Sequence, residues 1–208
     1  MSNEALAGNL FVISAPSGSG KTSLANRLIH EVPYLTFSVS YTTRPPRPNE
    51  VSGREYHFVD REVFRQMIDR NEFLEWENVY GNYYGTAEVP VKQTLARNQD
   101  VLLDIDVKGA RKVREKRKDA ILVFVMPPSY QELEKRLRGR GLDDAEQILN
   151  RLKIAREEIK DYKMYDYLIV NWDIDDAVAR LKAIVLAARS RISRMDRVGK
   201  EILKTFGD

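Results

Sequence analysis

The sequence predicts an α/β protein with a doubly wound core around a parallel sheet, carrying a small insertion. Short apolar runs stand at "LFVIS" (10–14), "VLLDID" (101–106), "ILVFVM" (121–126) and "YLIV" (167–170). They are continuous rather than alternating, as strands buried on both faces require. Helical patterns separate them, the order that produces parallel strands. About 85 residues lie between the first two runs, too many for one crossover helix, so an inserted unit is expected there.

The first run leads through a glycine-rich loop into an amphipathic helix, "SLANRLIHE". "DREVFRQMIDRN" (60–71) places Val63, Phe64, Met67 and Ile68 at the spacing of one buried helical face, a packing role. Ser129 and Glu132 have capping-box spacing at the start of a helix that runs into "RLRGRG", where two glycines interrupt it. A new helix follows from about Asp144. From about Asp175, Val178, Leu181, Ile184, Val185 and Ala188 keep helical spacing into an arginine-rich end, predicting one long helix with a break near Gly199. Homo-oligomerisation through that helix is allowed, but no clear heptad supports it.

With 208 residues, 43% of them hydrophobic and 31% charged, the chain can bury one substantial core with small additions. The net charge of +3, from 34 basic and 31 acidic residues, accommodates anionic ligands without calling for nucleic acid. Cysteine is absent, which excludes disulfides, thiolate chemistry and cysteine-held zinc. His30 and His57 are too few for a histidine metal site and read as surface or packing residues. The first residues lack the basic region and apolar length of a signal peptide, and no later run would span a bilayer. A cytoplasmic protein without a membrane partner is expected.

"APSGSGKT", from Ala15 through Pro16, Ser17, Gly18, Ser19, Gly20 and Lys21 to Thr22, sits between strand and helix as a Walker A phosphate loop must. Gly18 and Gly20 let successive N–H groups turn inward toward phosphate oxygens, and the following helix adds its positive end. Lys21 would reach the β/γ-phosphates and Thr22 would ligate magnesium. Alanine stands where the strict pattern begins with glycine. A nucleoside triphosphate is the ligand this motif implies, with its γ-phosphate going to water, to a protein or to a small molecule. "VLLDID" looks like a Walker B strand, with Asp104 and Asp106 on one side at period two. One of them could support Mg2+ through water and the other face an acceptor, although paired strand-end aspartates also serve simply as caps.

The insertion supplies Arg44, Arg47, Tyr56, Tyr83 and Tyr84 as phosphate-pairing and hydroxyl groups, with Glu50, Glu75 and Asp106 as carboxylates. In "YTTRPPRPNEVSGREYHF", two arginines three residues apart on a proline-stiffened loop could clamp one phosphoryl group. Arg54 and Glu55 read as surface. Guanine offers adjacent N1–H and N2–H2 donors that one carboxylate accepts, whereas adenine would turn an unprotonated nitrogen toward the charge. A purine nucleotide, preferably guanine, is the acceptor these groups imply.

"SVSYTTRPPRPNEVSGREYHF", "EFLEWENVYGNYYGT", "VLLDID" with "KGA", "RLRGRG" and "YDYLIVN" follow one another in the order and spacing of the guanylate kinase family, which this chain resembles from about Leu10 to Arg189. The resemblance implies a P-loop three-layer α/β/α core (about 1–36, 91–128 and 158–208), a GMP-binding insertion (about 37–90) and a short helical lid (about 129–157). It implies transfer of the ATP γ-phosphate to GMP, and to dGMP with it, assisted by Mg2+, yielding ADP and GDP. Position by position, Ser40, Glu75, Thr86 and Asp106 resemble guanine-reading residues. Arg44, Arg47, Tyr56 and Tyr84, with Glu50 beside them, resemble the acceptor-phosphate clamp. The family commonly has serine where Thr86 stands, so the hydroxyl is kept. Ala15 to Thr22 and Asn171, the latter near the adenine, resemble the ATP site. Arg136, Arg140 and Arg151 resemble lid arginines acting with Lys21 and Arg44 on the moving phosphoryl group. Thr22 and Asp104 are the metal candidates.

A non-catalytic guanylate-kinase-like module that binds protein, and a kinase for another small phosphate, are the rival readings. Intact Lys21, Thr22 and lid-region arginines weigh against the first. Nucleic-acid binding through "RKVREKRK" (111–118) is the third, against the simpler account of a solvated helix face.

Overall fold

The computed structural model describes residues 7–79, 81–139 and 144–207. Five strands, β1 (Leu10–Ser14), β2 (Leu35–Phe37), β7 (Asp100–Asp104), β8 (Ile121–Met126) and β9 (Tyr167–Val170), form a wholly parallel sheet in the order β2-β7-β1-β8-β9. Strand β1 lies at its centre, and alternation along it builds two interiors. Phe11 and Ile13 face α1 (Lys21–Glu31) and α7 (Ile174–Arg189) through Leu24, Leu28, Val178, Leu181 and Val185. Leu10 and Val12 face α3 (Glu88–Ala96) and α4 (Val107–Lys116) through Val91, Leu95, Ala110 and Val113. Both faces of a parallel sheet need such cover, which is why these runs are apolar throughout.

Between β2 and β7 the chain builds a second sheet from β3 (Tyr41–Thr42), β4 (His57–Phe58), β5 (Phe73–Val79) and β6 (Asn82–Ala87), ordered β4-β3-β6-β5. Helix α2 (Arg61–Asp69) packs on it through Phe64, Met67 and Phe73, a cluster separate from the main core. Asp60 caps α2, its carboxylate accepting the Val63 N–H at 2.8 Å. Val63, expected on the buried face, is 40% exposed, because Phe64, Met67 and Ile68 complete the stripe without it. His57 stacks on Tyr41 with ring centroids 4.6 Å apart, a packing histidine as expected.

Helices α5 (Tyr130–Gly139) and α6 (Ala145–Glu158) join through Leu133, Leu137, Ile148, Leu152 and Ala155, a third small interior. Ser129 Oγ accepts the Glu132 N–H, and Asp144 with Gln147 forms a complete capping box on α6. At the C-terminal end the long helix divides at Ser190 and Arg191, not at Gly199. Arg191 turns to an extended ψ of 140°, and α8 (Ile192–Leu203) starts beyond it with Gly199 in its interior. Ser190 Oγ bonds back to the Leu186 carbonyl at 3.3 Å, the competition with backbone bonding by which serine closes a helix. No described helix is long and apolar enough to cross a membrane.

The basic run 111–118 is engaged rather than merely solvated. Lys112 and Lys116 of α4 donate to the Trp76 and Phe73 carbonyls of β5, Arg111 pairs with Asp161, and Arg114 pairs with Asp166. Helix α4 thereby ties the second sheet to the core.

Candidate active site

The glycine-rich loop follows β1 at the carboxyl end of the parallel sheet, where open α/β sheets bind ligands. Gly18 and Gly20 have φ of 94° and 89°, a left-handed backbone that side chains disfavour. Steric room demands glycine as well. A Cβ on Gly18 would stand 2.8 Å from Leu137 and 2.9 Å from Leu133, and one on Gly20 would stand 2.7 Å from the Asn171 amide. Ala15 and Pro16 are buried at the base of the loop, so the alanine in place of glycine fits within the packed interior.

Lys21 opens α1 and extends its ammonium to Asp104 Oδ1 at 2.6 Å and to the Ile105 carbonyl at 2.8 Å. Thr22 donates its hydroxyl to Asp104 Oδ2 at 3.2 Å. The expectation that Asp104 and Asp106 share a strand face fails. Strand β7 ends at Asp104, and Asp106 instead caps α4, its Oδ1 accepting the Gly109 N–H at 2.7 Å. Both carboxylates nevertheless reach the same cavity.

That cavity, of about 200 Å³, runs from Lys21 and Thr22 to Ser40, Tyr56, Glu75, Tyr84 and Asp106. Glu75 is 4% exposed and accepts the Thr86 hydroxyl at 2.6 Å. Thr86 is fully buried behind it and orients the carboxylate rather than lining the cavity. Burial pushes the Glu75 carboxyl up to about 7. Nearby Asp106 adds to the rise, while the Thr86 hydroxyl and Lys112 oppose it. Gly109 is needed here too, since a Cβ would approach the Glu75 carboxylate to 2.7 Å.

A second cavity of about 460 Å³ shares Thr22, Ser40, Tyr56, Tyr84 and Asp104 with the first and continues to Arg44, Arg47 and Glu50. Arg44 donates to both Glu50 oxygens at 2.9 Å, and its guanidinium lies 5.5 Å from the Tyr56 ring centre. Glu50 also accepts the Arg47 N–H at 2.7 Å. Burial alone would raise the Glu50 carboxyl, but the Arg47 N–H and Arg44 outweigh it and hold it below the usual range. Glu50, expected at the ligand, thus spends its oxygens on fixing the arginine loop. Tyr56 is pushed up to about 12 by burial, with Asp104 and Tyr84 adding to the rise, so it remains a hydroxyl donor at neutral pH. Arg54 and Glu55, expected at the surface, pair at 2.6 Å and line this second cavity as well.

Arg136 pairs with Glu132 at 2.9 Å and donates to the Asn171 carbonyl at 3.1 Å. Arg151 stands half-buried on α6, and Arg140 lies outside the described residues. Asn171 follows β9, and its side chain donates 2.8 Å to the Ser19 carbonyl. Only 4% exposed, it holds the phosphate loop from behind, and its Oδ1 is buried without a partner. Sequence reasoning missed two carboxylates. Glu77 lines the first cavity two residues from Glu75, a period-two signal, and pairs with Lys112 at 2.8 Å. Glu158, the last residue of α6, lies beside the Ser17 N–H of the loop; burial pushes it up to about 7, with Asp106 adding and Lys21 and the Ser17 N–H opposing. No pattern in the sequence announces that contact.

A glycine loop at the end of a parallel strand, opening onto a cavity roofed by a second sheet with a buried carboxylate, defines a P-loop nucleotide-binding protein. A sequence model of guanylate kinase matches residues 7–188. A guanylate kinase of Aromatoleum aromaticum is 52% identical over 184 residues, 88% of this chain and 90% of that protein. One of Koribacter versatilis is 52% identical over 191 residues, 90% and 82% of the respective chains. The crystal structure of guanylate kinase from Anaplasma phagocytophilum superposes with a TM-score of 0.77 at 35% identity, covering 90% of this chain and 89% of that one. The chain belongs to the guanylate kinase family.

Proposed function

We propose that this protein transfers the γ-phosphoryl group of ATP to GMP or dGMP, giving ADP and the guanosine diphosphate. The observation that carries the reading is the shared cavity, in which Lys21 of the phosphate loop and the buried Glu75 carboxylate line one space. Glu75, with Asp106 and Ser40 beside it, accepts the N1–H and N2–H2 edge of guanine, and Thr86 keeps it aimed. Arg44, Arg47, Tyr56 and Tyr84 hold the acceptor phosphate in the adjoining space.

A phosphate monoester is largely ionised near neutral pH, its second pKa being about 6, so no general base is required. An acceptor oxygen attacks the γ-phosphorus as the bond to the β-bridging oxygen breaks, and Lys21 with loop N–H groups offsets the charge spread over the moving group. Arg136, Arg140 and Arg151 belong in this reading to a lid of about 129–157. With the insertion of about 37–90, the lid excludes water from the transfer. The separate interiors of the two units support that division.

The donors present suit Mg2+. The Thr22 hydroxyl stands 3.2 Å from the Asp104 carboxylate, and no group of three metal-ligating side chains occurs among the described residues. That set matches an ion held by one hydroxyl, a carboxylate through water, and substrate phosphate. Bound there, Mg2+ would neutralise charge on the β- and γ-phosphoryl oxygens. A cytoplasmic location belongs to the same reading.

ADP release measured with GMP, AMP, UMP or no acceptor tests the reading. Turnover with GMP alone is expected. Equal rates with AMP, or ADP release without an acceptor, would overturn it, and no turnover at all would favour a binding module.

A further inference from the structure

We propose that a second nucleotide-binding site lies at the opposite end of the parallel sheet, where Tyr34, Arg97, Arg189 and Arg194 line a cavity of about 430 Å³. Its size falls within the range of ordinary small-molecule sites. Asp100 opens β7 here and Asp104 closes that strand at the phosphate loop, about 13 Å away at the usual rise per residue. The two sites are therefore distinct. Arg194 lies beyond residue 188, where the match to the family ends, so α8 contributes part of this wall.

The charges in the cavity do not cancel. Asp100 is buried, and Asn9 and Arg189 satisfy it, with Arg189 Nε at 2.7 Å. Arg189 also donates to the Pro33 carbonyl at 2.8 Å, which completes its role in packing. Among the described residues, the Arg97 and Arg194 guanidinium groups have no hydrogen-bonded or ion-paired partner. Arg194 senses Asp119, but both nitrogens of the Arg117 fork already hold that carboxylate, at 2.8 and 2.9 Å. Two uncommitted guanidiniums beside a neutralised aspartate suit a phosphate-bearing anion.

Tyr34 specifies what the anion carries. It occupies the third position of a turn closed by the Leu35 N–H on the Val32 carbonyl, behind Pro33, with φ of 62°. Glycine or asparagine suits that position, and a bulky residue there is strained. The ring gains little packing in return, being 72% exposed. An exposed aromatic face beside two guanidiniums matches a planar base with phosphates attached.

Amide NMR of the full-length protein, titrated with GDP and separately with inorganic pyrophosphate, tests the site. GDP is expected to shift Tyr34, Asn98, Gln99 and Arg194 as a set whose midpoint differs from that of Gly18 to Thr22. Arg97→Ala/Arg194→Ala should weaken the distal set at least about tenfold and leave the phosphate-loop set unchanged. Arg97→Gln alone, an exposed change that the fold tolerates, should weaken it severalfold. Tyr34→Ala should weaken GDP and spare pyrophosphate. Distal amides that stay still at millimolar GDP, or that respond identically in the arginine variants, would overturn the site. Pyrophosphate binding there as tightly as GDP would overturn its assignment to nucleotides.

Discussion

Lys21 places the one ammonium of the phosphate loop 2.6 Å from the Asp104 carboxylate. Lys21→Met should lower kcat by orders of magnitude while circular dichroism and Tm stay near wild type; near-normal turnover would remove the loop from the mechanism. Glu75 makes a sharper test, because its carboxyl is pushed up to about 7. Only its ionised form accepts both guanine donors, so protonation competes with GMP. The apparent KM for GMP should rise about tenfold from pH 8 to pH 6, while the KM for ATP moves little. Glu75→Gln should raise the KM for GMP roughly tenfold to a hundredfold, from loss of about 1.5 to 3 kcal/mol. It should also flatten the pH dependence to that of the phosphate itself. Equal effects on both nucleotides would place the base elsewhere.

At the scale of elements, the phosphate loop is held from two sides. Asn171 grips the Ser19 carbonyl, and Leu133 and Leu137 of α5 press against Gly18. Gly18→Ala combines a left-handed φ with a side-chain collision, so it should cost about 1 to 3 kcal/mol in urea denaturation and raise the KM for ATP. Wild-type stability would show that α5 yields freely. The strand-loop-helix core and the loop itself were legible because their signals are local: apolar runs, glycine spacing and a capping residue. Contacts between distant segments were not. Glu158 beside Ser17, Lys112 on β5 and Asn171 behind the loop depend on how helices and the second sheet dock, and charge type alone does not reveal a partner. Asp106 misled for a related reason, since period-two spacing assumes a strand that in fact stops at Asp104.

For the whole molecule, the two carboxyls pushed up to about 7 make part of the stability depend on pH. Glu75 and Glu158 have native values of about 7 against an ordinary 4.5, so the folded state binds their protons more tightly than the unfolded chain does. Their support is complete below about pH 4.5 and is lost as pH rises through 7. Glu158→Gln keeps the shape of the side chain and removes its half-buried charge. Its Tm should gain a few degrees on wild type between pH 5 and pH 8. A constant difference across that range would remove Glu158 from the linkage.

The small clusters around Phe64 and around Leu133 have a consequence for how the molecule can work. Neither cluster includes a residue of the central sheet, yet each unit touches the core at a few points, β5 through buried Leu74 among Leu10 and Val12, and α5 through Leu133 and Leu137 against Gly18. Displacing either unit as a body therefore leaves its own interior dry and uncovers chiefly those contacts. The resistance to such displacement resides in those apolar contacts and in a few polar links, chiefly Lys112 and Lys116 to β5. Nucleotides approaching from outside would thus work against narrow joints rather than against a whole core.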